Sequence, residues 1–181
     1  DLKCITIPGV YSYPHNNKNL YTKPESYDYK NTHIDSVGFC NLVGIKEKCA
    51  ARSCARLIVK AANSFVGDNL HIIINTPDIR LFDAVRMAER KTKKRITKTV
   101  IIPDIPSMVT AMDKQNPIKA YLLAKRDFKV MEYTANSNGL VLLTEAMMDY
   151  VSKPVKHIVM EGIVDVSTMD IKQVPIVTNK E

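Results

Sequence analysis

The chain has no tryptophan, only six glycines in 181 residues, and no apolar run approaching the roughly 18 residues that a membrane span needs. Scarce glycine removes the usual phosphate cradles. Neither GxGxxG nor GxxxxGK[ST] occurs, so a nucleotide-binding loop of the common kind is not expected. HExxH, CxxC and GxSxG are missing too, which leaves no familiar metalloprotease, redox or serine-hydrolase signature. There is no charged-then-apolar leader, so no secretory signal is visible. The first residue is Asp1 rather than Met, as expected of a processed product or a piece of a longer protein.

Cysteine is sparse. Cys4, Cys40, Cys49 and Cys54 are even in number, but a chain of this length can build a core without staples. Reduced thiols in an intracellular setting (cytoplasm or nucleus) are the expectation. Cys49-x4-Cys54 is not the close pair a zinc site wants, so no metal and no cofactor is predicted.

Positive charge is plentiful and unevenly placed. Residues 1–45 carry four bases and four acids, residues 46–98 thirteen and five, and residues 99–181 nine and ten. The net +7 of the chain therefore resides in its middle third. A solubilising surface has no reason to concentrate in this way, whereas the footprint for a polyanion does.

The same third contains the stretch that organises the chain, Leu70–Pro103. Leu70–Ile74 and Thr99–Ile102 are rich in Ile and Val, as buried strands are. Thr76-Pro77-Asp78 between them is a helix start: Thr76 to accept from orphan amides, Pro77 at the first helical position, Asp78 at the positive end of the dipole. Strand, helix and strand in that order predict a βαβ unit and a parallel sheet.

Before it, Leu2–Ile7 reads as a strand and residues 10–32 as a Tyr-rich loop or arm. The arm holds Tyr11, Tyr13, Tyr21, Tyr27 and Tyr29. Its tyrosines are read as packing on the body or on a neighbouring subunit, with stacking on unpaired bases as the sharper alternative. Ser36–Ile45 is a strand or buried turn. Lys46–Val66 is a helix whose apolar side is Ala50, Cys54, Leu57, Ala61 and Phe65. After Pro103 the pattern predicts helices over Ser107–Gln115 and Pro117–Lys125. Alternation over Phe128–Thr134, then Asn138-Gly139 and Leu140–Leu143, predicts a C-terminal β-hairpin. A brief helix follows Thr144-Glu145, a last strand spans Val155–Val166, and residues 167–181 form a polar tail. The fold class is α/β: one domain over 1–181, with a mixed, partly parallel sheet and flanking helices.

Two helices carry the charge. Lys48, Arg52, Arg56 and Lys60 recur at four-residue steps and line one ridge of the first. Arg86, Arg90 and Lys94 repeat the device in the second, with Lys91, Lys93 and Arg95 nearby. These ten residues are the predicted site for nucleic acid, RNA or single-stranded, bound without catalysis by cations that converge if both helices share a face of the sheet. The eight methionines read as core filler or partner surface. One rival is a structural or assembly protein that oligomerises or meets a partner protein through the 10–32 arm. The abundance of Lys, Asn and Ile suits an AT-rich genome, including that of a large virus. A second rival is a metal-dependent phosphoryl hydrolase, with Asp78 and Asp104 each just past a strand end, where α/β sheets gather ligands. His71 inside its strand reads as a satisfied core or edge histidine, and a His33–cysteine nucleophile pair has no supporting spacing.

Overall fold

The apolar runs on either side of the central helix pair as parallel strands. In the computed structural model, which describes residues 2–13, 18–103 and 117–160, β1 (Cys4–Thr6), β2 (Tyr21–Thr22), β3 (Glu25–Tyr29), β4 (Thr32–Ser36) and β5 (Phe39–Cys40) precede α1 (Lys46–Ser64). Then come β6 (Asn69–Ile74), α2 (Ile79–Glu89), β7 (Arg95–Ile102), α3 (Pro117–Ala135), β8 (Gly139–Leu142), a 3-10 turn (Glu145–Tyr150) and β9 (His157–Val159). The main sheet has the order β6-β7-β8-β9 and is parallel throughout. Two smaller sheets, β1-β4-β3 and β2-β5, are built from the first forty residues. No helix among the described residues is long and apolar enough to cross a membrane.

Successive strands are neighbours, so every right-handed crossover falls on the same side of the sheet. That side buries Ile74, Val100, Ile102, Leu140 and Leu142 against Phe82, Ala84 and Val85 of α2 and Val130 of α3. The opposite side is bare among the described residues. Ile73 (59% exposed) and Ile158 (56%) stand there, with His71, which hydrogen-bonds Thr97 Oγ1 at 2.7 Å, as the edge histidine expected from sequence.

α1 lies on α2 through small side chains. Ala50, Ala51, Ala55 and Ala62 of one and Ala84 and Ala88 of the other are all buried. Of the predicted apolar side, Ala50 and Cys54 are buried and Leu57 packs against the core, but the buried face extends to Ala51, Ala55, Ile58 and Ala62, and Phe65 is left at the exposed end. The two helices run in the same direction: Arg80 adjoins Glu47 at one end, and Lys94 Nζ donates to Gly67 O (2.7 Å) at the other.

Three expectations are corrected. Phe128–Thr134 is not a strand and forms no hairpin with Leu140–Leu143; those residues complete α3, and β8 pairs in parallel with β7. Val130 and Thr134 are both buried, a four-residue step that serves a helix as well as the alternation serves a strand. A parallel partner for β7 requires a crossover, and α3 supplies it. Residues 10–32 are not loop throughout: β3 and β4 form an antiparallel hairpin whose tight turn holds Lys30 at φ 51°. Asn41, wholly buried, ties down the chain before it by donating to Tyr11 O (2.7 Å) and Asn19 O (3.3 Å). Third, α2 is capped by Asp78, not Thr76. The predicted Ser107–Gln115 helix, the end of the Val155–Val166 strand and the 167–181 tail lie outside the described residues.

Candidate functional site

Lys48, Arg52, Arg56 and Lys60 all lie on the exposed side of α1, opposite its alanines. None has a carboxylate partner among the described residues. The predicted α2 cluster is divided instead. Arg86 donates to the Tyr133 hydroxyl and lies 4.9 Å from the centre of that ring, so it clamps α2 to α3. Lys94 is taken up by Gly67 O, and Arg95 opens β7, where its amide donates to Asp68 O (2.9 Å). Arg90, Lys91 and Lys93 are exposed, at the end of α2 remote from Lys48. The ten residues therefore do not make one row. The α1 ridge is continuous, and the α2 group occupies the far end of the same helix layer.

At its first turn the ridge opens into a groove of about 430 Å³ between α1, α2 and α3. Lys48, Arg80, Lys125, Arg126 and Lys129 supply its cations, Glu47 and Asp83 its acids, and Ile79, Leu122 and Leu123 its apolar floor. Arg126 reaches Glu47 at 3.3 Å and Lys129 reaches Asp83 at 3.2 Å. Lys48 and Lys125 have no acid partner among the described residues. Burial and the adjacent Arg80 charge hold the neighbouring Lys46 amine below the ordinary lysine value, as expected where cations crowd. Arg80, Lys125, Arg126 and Lys129 are not among the residues singled out from sequence. The pattern Lys125-Arg126-x-x-Lys129 carries the signal, but reading 128–134 as a strand hides its helical ridge.

The chemistry the residues offer is electrostatic. Asp78 accepts from the Arg80 amide (2.8 Å) and from Arg80 Nε (3.0 and 3.1 Å), so both its oxygens are engaged. Burial pushes its carboxyl up, but the Arg80 side chain, amide and charge outweigh this and hold it below the ordinary value. A metal-bridging role with Asp104 loses its first ligand to that pairing; Asp104 itself lies outside the described residues. Among the described residues no three His, Cys, Asp or Glu side chains cluster as metal ligands would. His33 is bound to Asp28 (2.7 Å), and burial pushes the Cys54 thiol up to about 12, far from a nucleophilic thiolate. All four cysteines are free. The pocket between Ile102, Met131, Met147 and Tyr150 encloses about 10 Å³, room for no more than a water.

Asp78 also yields a stability prediction. Its folded carboxyl is held below the unfolded value, so its contribution is present above the ordinary aspartate range and lost as pH falls through the folded value. Asp78→Ala removes the α2 cap and strands Arg80, and is expected to cost about 1–2 kcal/mol at pH 7. Urea unfolding of parent and variant should converge as the solution is made strongly acidic; a gap that persists below the folded value would contradict this.

Comparison with models of known protein families finds no match, and neither a search of curated proteins nor one of solved structures finds any.

Proposed function

We propose that the chain binds a nucleic acid without catalysing a reaction on it. The phosphates would lie along the α1 ridge and enter the groove beside Lys48. The observation that carries this reading is the ridge: four exposed cations at one-turn spacing, facing away from the core, without an acid to neutralise them among the described residues. Such spacing weakens an isolated helix by a few tenths of a kcal/mol per pair, so stability alone does not favour it. A solvated helix face would more often mix signs.

The test is the salt dependence of binding to a labelled short single-stranded RNA. Four phosphate contacts predict a slope near −3 in log K against log salt, or about 50-fold weaker binding between roughly 50 and 200 mM salt. A slope near zero, or no binding at low salt, removes the proposal. The assembly reading keeps one supporting observation, the side of the main sheet that exposes Ile73 and Ile158 and that no other described element covers. It predicts association that is insensitive to salt.

A further inference from the structure

Two rings stand clear of the protein on α3. Tyr121 is 67% and Phe128 73% exposed, and they lie seven residues apart, about 10 Å along one side of the helix. Lys125 lies between them, and Leu122, Arg126 and Lys129 line the groove alongside. Exposed rings flanked by unpaired cations are the parts from which a stacking surface for single-stranded nucleic acid is built. The hairpin also exposes Tyr27 and Tyr29, but in another electrostatic setting. They share β3 with Glu25 and Asp28 and pair with β4, which carries Asp35. There the acids are matched by Lys3 on Asp35, His33 on Asp28 and Lys30 over the Tyr29 ring, whereas Lys48 and Lys125 beside the α3 rings have no acid partner among the described residues.

We propose that this side of α3 is a base-stacking platform, on which Tyr121 and Phe128 receive unpaired bases of a single strand whose phosphates meet Lys48, Lys125 and Arg126. It rests on the nucleic-acid reading above and deepens it by naming the side chains that receive the bases. Aromatic rings stack on bases of any identity because every base has a π face, and a duplex hides those faces. A peptide docking in the groove would want a continuous apolar ridge. Here a lysine separates the two rings, which suits discrete planar groups on a charged backbone.

The test uses the full chain. Tyr121→Ala with Phe128→Ala is expected to weaken binding of a short single-stranded RNA by about 30-fold or more. Affinity for heparin, which has charge but no bases, should be unchanged, and Tyr121→Phe with Phe128→Tyr should retain RNA binding. The chain has no tryptophan, so Tyr121→Trp introduces a lone reporter. Its emission should be quenched by single-stranded RNA and not by heparin. If the parent binds RNA and heparin but the alanine pair alters neither, the platform falls and the polyanion reading stands. If the parent binds neither, both fall. Ring-dependent binding of polyglutamate as tight as that of RNA would make the partner an acidic protein and overturn the platform.

Discussion

Arg52→Glu combined with Arg56→Glu is expected to weaken RNA binding by about 100-fold or more and to leave far-UV circular dichroism unchanged. Both side chains lie in the middle of the exposed α1 ridge. The exchange removes two phosphate contacts and sets two carboxylates against the same phosphates. Like charges brought together in an interface cost several kcal/mol, and about 3 kcal/mol corresponds to the stated loss. The fold should not suffer. In the double variant the two carboxylates stand between Lys48 and Lys60. The outer four-residue steps of the ridge turn from repulsive to attractive, each worth a few tenths of a kcal/mol, while the middle step stays repulsive with its sign reversed. The variant is therefore expected to unfold at the parent's temperature or slightly above, which separates lost binding from lost structure. Binding as tight as the parent's in fluorescence anisotropy would end the assignment of the ridge.

Leu142→Ala is expected to destabilise the protein by about 3 kcal/mol in urea unfolding, the largest stability effect anticipated for a single substitution. Leu142 is wholly buried on β8, an interior strand, with Ile102 and Val159 as its cross-strand neighbours. Truncation there removes contacts with the helix layer and leaves a cavity that the paired backbone cannot close. In a chain of this size that corresponds to roughly 6–12 °C in melting temperature. Ile73→Ala on the bare side provides the contrast: the side chain is already more than half in water, so a loss under about 1 kcal/mol is expected. Equal losses at the two positions would mean that the side described as open is covered in solution.

Leu70–Ile74 and Thr99–Ile102 declare themselves as strands because only His71 and Thr99 break their Ile, Leu and Val, and the helix between them carries its own start signal; the Arg95–Lys98 half of β7, mixed polar and charged, does not. That local information is complete within a few residues, so α/β architecture with a parallel βαβ unit is legible. Val130 and Thr134 are not, since Phe128–Thr134 satisfies a period of two and a step of four at once. Only the need of β8 for a crossover to reach β7 decides between them. The hairpin within the arm escapes detection for a related reason. Ser26 and Asp28 alternate with Tyr27 and Tyr29, but every residue of β3 is exposed, and two tyrosines amid Asn, Lys and Pro read as a loop rather than as the buried side of a strand.

For the candidate site the division runs along the same line. Spacing within one helix fixes direction, so Lys48, Arg52, Arg56 and Lys60 had to share a ridge once α1 formed, and their residue types alone implied it. Whether cations on different helices meet depends on strand order, which no local pattern encodes. Strand order put α2 and α3 on one side of the sheet, and the packing of α1 on α2 then brought Lys125 and Arg126 to Lys48 and spent Arg86 and Lys94 on holding the layer together. Periodicity acts over a few residues and is written in the chain; convergence acts across dozens and belongs to the packing.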